Sequence, residues 1–484
     1  MFLFFGATLT LAEEPPVARW TAYYDGPTNN DDYAYAVAVD GSGKVIVSGS
    51  SSVAGVTYDF ATVKYDANGN QLWVQRYDGG VYGDDRVGAM ALGASGAVYV
   101  SGCTKRPDGS NAYITIKYDA GGVQRWISTI APTHATNVGG IAVDAYENVY
   151  VTTTLYYYNY ITVKYNSAGS KLWEAVYDAG EDDQAVAIAV DDVGNVYVTG
   201  SSEGDGTSKD YATVKYSPNG KQLWVARHDG SAHINDYPSA IALDDFGNVY
   251  VTGGSICSET SRDYTTICYD SNGNQLWVER YDGPGHSDDI ARALALDVYG
   301  NVLVTGYSMG SDDHYDAATI KYEPNGNQVW VARRSGSEYD FVGRSIAVDC
   351  NGNVYVTGGD PYFCEHNEYM VIRYGPQGDE TWVLSGGTLV SCGADVVVDC
   401  EGNVYVAGSR SVSYDDLDYA TVKYTQHDYC TGQIGSDRNG DCKVEFRDFA
   451  ILAEAWLNNY GWEDLGKLAD DWLYCRFALE DDCW

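Results

Sequence analysis

The chain has 484 residues, with 68 Asp and Glu against 30 Lys and Arg, giving a formal net charge of −38. Such a balance excludes nucleic acid as a partner, because phosphate binding needs clustered cations. Eleven cysteines agree with an oxidising compartment, the odd number leaving at least one unpaired.

In chain order, residues 1–12 come first. MFLFFGATLTLA has an apolar core and a small residue, Ala12, at its end, and reads as a signal peptide lacking its basic start. A secreted, extracellular or cell-surface location is therefore expected. No later segment reads as a membrane span, since charged and turn residues interrupt every apolar run.

Residues 13–425 are one phrase repeated. Trp20, Trp73, Trp126, Trp173, Trp224, Trp277, Trp330 and Trp382 recur at gaps of 53, 53, 47, 51, 53, 53 and 52 residues, the mark of a supersecondary array. Within each interval apolar residues alternate with period two between Gly, Asn and Asp turn signals. In the fifth repeat this predicts strands at Ala240 to Leu243, Asn248 to Thr252, Asp263 to Tyr269 and Gln275 to Tyr281. Four antiparallel strands make one propeller blade. The second-strand motif (GNVYVTG at 194–200, 247–253 and 352–358) and the third (TVKY at 62–65 through 421–424) each occur eight times. The last repeat stops without its Trp strand, whereas a Trp strand at Val17 to Tyr24 precedes everything else. The expected fold is thus all-β, an eight-bladed β-propeller of four-stranded blades closed by the N-terminal strand.

Strand one alternates branched residues with Ala and belongs next to the axis. The Trp strand belongs outside, its ring filling the wedge between blades. The Lys of T-V-K-Y (Lys64, Lys117, Lys164, Lys215, Lys321, Lys423) is expected to pair with a carboxylate of the neighbouring blade. The phrase D-x-x-G-N-V-Y-V-T-G, then D-Y-A-T-V-K-Y-D and N-G-N-Q-L-W, resembles the SBBP repeat, a bacterial β-propeller repeat of secreted and cell-surface proteins. That resemblance implies a non-catalytic or uncharacterised propeller and carries no catalytic residues; its name refers to seven blades, and eight copies depart from it.

Acid concentrates in the connections from the Trp strand to the next blade: Asp31 and Asp32, Asp84 and Asp85, Asp182 and Asp183, Asp288 and Asp289. These share a rim with the long, variable loops between second and third strands, so ligand binding is expected there. Further calcium ions on this rim and plain Asp-capped turns are both open readings. Cys364 and Cys392 fall near adjacent blades and form the favoured propeller disulfide.

Residues 426–484 change character. Asp437, Asn439 and Asp441 stand at positions 1, 3 and 5 of a calcium loop, with the Lys443 carbonyl at 7, Glu445 at 9 and Asp448 at 12. Phe449, Leu452, Ala453 and Trp456 then form one helix face, and Leu465, Leu468, Ala469 and Trp472 a second. The D-x-N-G-D and D-F-A-I-L-A runs resemble a dockerin type I module, a small α-helical calcium-loop domain that docks onto a cohesin. Cys442 replaces the usual Gly at position 6, and the second loop is missing, so one calcium is expected. Cys430, Cys442, Cys475 and Cys483 would staple this small core.

Catalysis is weakly signalled. Seven histidines (134, 228, 233, 286, 314, 366, 427) occupy unrelated repeat positions. One G-x-S-x-G match, Gly306 to Gly310, lies where a blade loop rather than a strand-to-helix elbow is expected. D-x-N-G-x-Q-L-W is similar to the Trp-docking repeat of eight-bladed quinoproteins, without the adjacent-cysteine pair associated with several of them. The reading is a secreted, non-catalytic binding or scaffold propeller, calcium its cofactor, attached by the C-terminal module to a cohesin-like or cell-surface protein. Its rim would bind extracellular polysaccharide or protein. A structural or adhesive surface protein is the alternative, and a quinoprotein-like or polysaccharide-active enzyme the third reading.

Overall fold

The computed structural model describes residues 15–425, apart from 54–56, 81–82, 107, 131–138, 156–157, 205–207, 257–260, 337–339, 360–368, 386–391 and 414–415. Segment 1–12 and the module at 426–484, helices and disulfides included, lie outside the described residues, as does Cys364.

The described residues fold into eight four-stranded sheets. In the first blade β2 (Asp32–Val39), β3 (Val45–Val53), β4 (Thr57–Tyr65) and β5 (Gln71–Tyr77) pair in sequence order. Six more blades repeat this meander. The eighth is built from β30 (Cys392–Val398), β31 (Val404–Ser413) and β32 (Asp416–Thr425), and its outer strand is β1 (Val17–Tyr24), giving the order β1-β32-β31-β30. Both ends of the propeller chain therefore meet in one sheet. First strands of successive blades approach one another all the way round, including β2 with β30, so they line the axis.

In the fifth blade the strands are Tyr237–Leu243, Val249–Ile256, Arg262–Tyr269 and Gln275–Tyr281. The first begins earlier than its alternation suggests because a bulge between Pro238 and Ala240 restores pairing after a break in the pattern. The second continues through Gly253 and Gly254, which read as turn signals. Gly253 is there for another reason: a Cβ would lie 2.6 Å from the Tyr211 hydroxyl of the preceding blade.

Blades stack through their second and third strands. Val249, Val251, Ile267 and Tyr269 of the fifth blade are buried against Tyr197, Tyr211 and Ala226 of the fourth. At the edge each indole reaches the next blade's turn between third and fourth strands. Trp224 donates from Nε1 to the Ser271 carbonyl at 3.1 Å, and its ring covers Gly273, which holds φ at +85° and where a Cβ would come 2.8 Å from Cδ2. The same bond joins Trp20 to Ala67, Trp73 to Ala120, Trp126 to Ser167, Trp173 to Pro218, Trp277 to Pro324 and Trp330 to Pro376, at 2.9–3.2 Å. Trp382's counterpart, Gln426, lies outside the described residues.

The lysine expectation needs correcting. Lys117 does pair across the junction, with Glu147 at 2.9 Å, but Lys64 and Lys321 pair within their own blades, with Asp40 at 3.3 Å and Asp297 at 3.0 Å. What recurs across the junction is a bond to the carbonyl that the tryptophan uses, as from Lys215 Nζ to Ser271 at 2.9 Å. The ammonium groups of Lys164, Lys215 and Lys423 lie over Tyr150, Tyr197 and Tyr405 of their own blades, and for Lys164 and Lys215 the ring face and a carbonyl stand in for a carboxylate.

Deleting residues 17–24 should leave β32 as an unpaired edge. The expected result is concentration-dependent self-association by light scattering; a monomer with unchanged unfolding would show that the ring does not depend on this strand.

Candidate functional site

Carboxylates gather where one blade passes into the next. The repeat places Asp near the start of the third strand (Asp59, Asp210, Asp263, Asp418), just after the fourth (Asp78, Asp229, Asp282, Asp25) and at the opening of the following first strand (Asp85, Asp236, Asp289, Asp32). Because a fourth strand and the next first strand adjoin at this rim, the three converge. At four junctions each aspartate offers a carboxylate oxygen within 4.8 Å of the other two.

Three of the triads contain one of the doubled aspartates read from sequence (Asp32, Asp85, Asp289), and the fourth, Asp210, Asp229 and Asp236, contains none. Asp32, Asp85, Asp183, Asp236 and Asp289 are buried and act as clasps. The Gly26 N–H donates to Asp32 Oδ2 at 2.6 Å and the Ser52 N–H to Oδ1 at 3.1 Å. Gly230 and Ile256 serve Asp236 in the same way at 2.6 and 2.9 Å. Asp183 also clasps, from Ala179 at 2.7 Å, but Asn159 stands near the start of its neighbouring third strand and no triad forms there. The Asp-capped reading therefore holds for the second member of each pair. The triad members missed in the sequence were printed in D-Y-A-T-V-K-Y and R-Y-D-G; their approach depends on blade stacking, which spacing alone does not display.

Burial chiefly raises the proton affinity of these groups. It pushes Asp263 up to about 6, with Arg280 opposing and Asp282 and Asp289 adding. Asp418 is pushed up to about 6 by burial and then by Asp25, Asp416 and Asp32, with Arg410 opposing. Asp32 reaches about 6 by burial against the bonds it accepts.

Three triads carry their own cation. Arg76 pairs with Asp59 at 3.3 Å, Arg227 with Asp210 at 2.9 Å, and Arg280 with Asp263. His233 and His286 add imidazole contacts to Asp229 and Asp282. At the ring-closing triad, Asp25, Asp32 and Asp418, the position of that arginine is Tyr23.

The opposite rim carries the tight turns. Four successive blades expose an apolar residue at one turn position: Tyr146 at 79%, Val193 at 73%, Phe246 at 88% and Tyr299 at 74%. The other blades place Ser42, Ser95, Asn351 and Glu401 there. Cys350 and Cys400, one position earlier in the turns of the last two blades, form a disulfide. Their separation of 50 residues is one repeat, a signal overlooked in favour of Cys364 and Cys392. Cys103 and Cys268 are buried thiols.

The candidate calcium ligands Asp437, Asn439, Asp441, Lys443, Glu445 and Asp448 lie outside the described residues. In the G-x-S-x-G match, Ser308 is buried inside a strand and its Oγ accepts from Arg333 Nη1 at 2.5 Å, while His314 contacts Asp340. Among the described residues no helix is long and apolar enough to cross a membrane.

Residues 178–206, 230–256 and 329–358 match the beta-propeller repeat family SBBP. With eight blades in place, the chain is a propeller repeat protein. An uncharacterised WD repeat-containing protein of Acanthamoeba polyphaga mimivirus is 24% identical over 31% of this chain, and the match spans 14% of that relative. Sqt1 from Chaetomium thermophilum has a TM-score of 0.54 at 11% identity, covering 85% of this chain and 100% of that one, which shows the fold alone. The extracellular domains of Drosophila Semaphorin 1b reach a TM-score of 0.41 at 10% identity, over 86% and 88%, too low to carry an argument.

The pH dependence follows from the junctions. Asp32, Asp263 and Asp418 hold a proton near pH 6 in the fold but near 3.8 when unfolded. The folded state therefore binds more protons between those values and gains stability as pH falls through 6. Side-chain bonds from Asn70 and Asn274 lower Asp66 and Asp270; against a burial cost, Ser95 and Lys117 hold Glu147 at about 2. Those contributions are lost below about pH 4. In chelator, calorimetry should find the highest melting temperature near about pH 5; a maximum at or above pH 7 would contradict the buried triads.

Proposed function

We propose that this propeller is a secreted, non-catalytic binding scaffold that presents its tight-turn rim to an extracellular polysaccharide or protein. A dockerin-like calcium module at 426–484 attaches it to a cohesin-like partner or to a cell surface. A repeat propeller fits a binding or scaffold role. The observation that carries the reading is the arc of Tyr146, Val193, Phe246 and Tyr299. The leading Asp of the turn accepts backbone bonds from two and four residues on, as Asp244 does from Phe246 and Asn248, and in the second blade, where Gly93 leads, Glu147 of the next blade takes the Ser95 N–H. The exposed third position serves no packing, and blades that carry Ser, Asn or Glu there fold identically. Apolar side chains kept in water at one position of four adjacent blades mark a contact face. The acidic rim is the weaker candidate because its buried aspartates are occupied in holding blades together.

The alternative, a structural or adhesive surface protein, draws on the same arc, which would then seat a second copy. Phe246→Ser with Tyr299→Ser should leave the melting temperature within a degree or so, as exposed substitutions do. The variant should weaken capture on extracellular glycan and protein panels by about tenfold or more. Self-association of the parent, abolished in the double variant with no ligand captured, would select the adhesive reading. Unchanged binding in the variant would move the contact face elsewhere.

For the module, the expected oxygen ligands are Asp437, Asn439, Asp441, Asp448, the Lys443 carbonyl and Glu445. Calorimetric titration of the full chain should show Asp437→Ala binding one calcium fewer than the parent. Equal stoichiometry would remove the calcium loop from the reading.

A further inference from the structure

We propose that a calcium ion binds at the ring-closing junction, held by Asp25, Asp32 and Asp418, and ties the first strand of the propeller to the last. The site is independent of the C-terminal calcium loop.

Asp25 follows β1, Asp32 opens β2 and Asp418 lies in β32, so the three carboxylates belong to both ends of the propeller chain and to the first blade. Each offers an oxygen within 4.8 Å of the others. Oxygens bound to one calcium at 2.3–2.6 Å lie at most about 5 Å apart, so the cluster needs little rearrangement to close on an ion. Asp418 is nine-tenths buried, yet its Oδ1 is enclosed and accepts no hydrogen bond; Oδ1 of neighbouring Asp416 is in the same condition. A buried carboxylate oxygen without a donor is costly, and three further carboxylates beside it add repulsion.

The other three triads offset the repulsion with a built-in cation, although Asp229 Oδ1 and Asp263 Oδ1 are likewise enclosed without a donor. Each has an arginine from the fourth strand on its third-strand aspartate, and two add a histidine. At closure that strand is β1, where Tyr23 occupies the arginine position. The nearby cations, Arg410 and Arg76, act on Asp418 and Asp32 only through space. The Arg410 guanidinium lies 4.4 Å over the Tyr23 ring, and Arg76 bonds Tyr24, Ser51 and Asp59. Among the described residues no ion pair reaches Asp25, Asp32, Asp416 or Asp418. The junction that most needs a cation thus lacks the one built into its counterparts.

An all-oxygen donor set selects a hard cation over zinc or copper. Calcium tolerates irregular coordination and water in the remaining positions, whereas magnesium demands near-ideal octahedral geometry. Asp32 keeps its clasp bonds to Gly26 and Ser52, since each carboxylate oxygen has a second lone pair.

The test uses the full chain carrying Asp437→Ala, so that the C-terminal loop does not contribute, with and without Asp418→Asn. Calcium titration should give one ion for the first protein and none for the second. Thermal unfolding should show opposite signs. In chelator Asp418→Asn melts higher, because repulsion is relieved; in millimolar calcium it melts lower, by a few degrees, because the ion is lost. Asp25→Asn, at an exposed position, repeats the comparison should the buried substitution impair folding. Undiminished calcium binding in both asparagine variants, or a parent melting temperature indifferent to calcium, would overturn the site. Failure of the C-terminal loop appears separately, as equal stoichiometry in the wild-type chain and Asp437→Ala.

Discussion

Every blade depends on the one after it. A four-stranded sheet with two apolar faces has no stable existence alone, and the contact that registers one sheet on the next is the indole laid across a left-handed glycine. Trp224 on Gly273 illustrates the economy of that arrangement. The same turn supplies the glycine that the ring covers and the Ser271 carbonyl that receives both Trp224 Nε1 and Lys215 Nζ. A bulkier residue beneath the ring would clash and strain the backbone together. The long period of the sequence is therefore the period of an interface, and the positions free to vary lie outside it, at turn tips and blade junctions.

That division explains what could be read from residues alone. Strand identity, eight blades and closure through β1 follow from local alternation and from counting motifs, so they were legible. Partners across a junction were not. Asp263 and Asp289 lie on different blades and meet because one opens a third strand and the other opens the first strand of the next blade; Lys321 chooses Asp297 in its own blade although a neighbour's carboxylate was expected. The Cys350–Cys400 bridge was visible as one repeat length but competed with Cys364 and Cys392, which fall near adjacent blades. The turn-tip apolar residues broke no pattern, since D-x-x-G-N tolerates any side chain at its third position, and only their exposure gives them meaning.

The two rims differ in kind. One is polar and internally engaged, its aspartates clasping backbone amides and, at three junctions, arginines. The other is built from tight turns whose backbone needs are met locally, leaving side chains available to solvent. With a formal charge of −38, long-range electrostatics disfavour acidic partners and favour contacts through neutral apolar groups. The arc on four adjacent blades supplies groups of that kind, off-centre on the ring.

Closure through the first strand also sets an order in time. β1 emerges from the ribosome long before β32 exists, and at about 5–20 residues per second its partner follows some 20–80 s later. Throughout that interval an eight-residue strand has no ladder to join. Sequential blades form from short-range contacts, whereas the final pairing is the most distant strand pairing among the described residues and hence intrinsically slow. The nascent protein is an open arc with a sticky edge, and its vulnerable period ends only when the last strand meets the first.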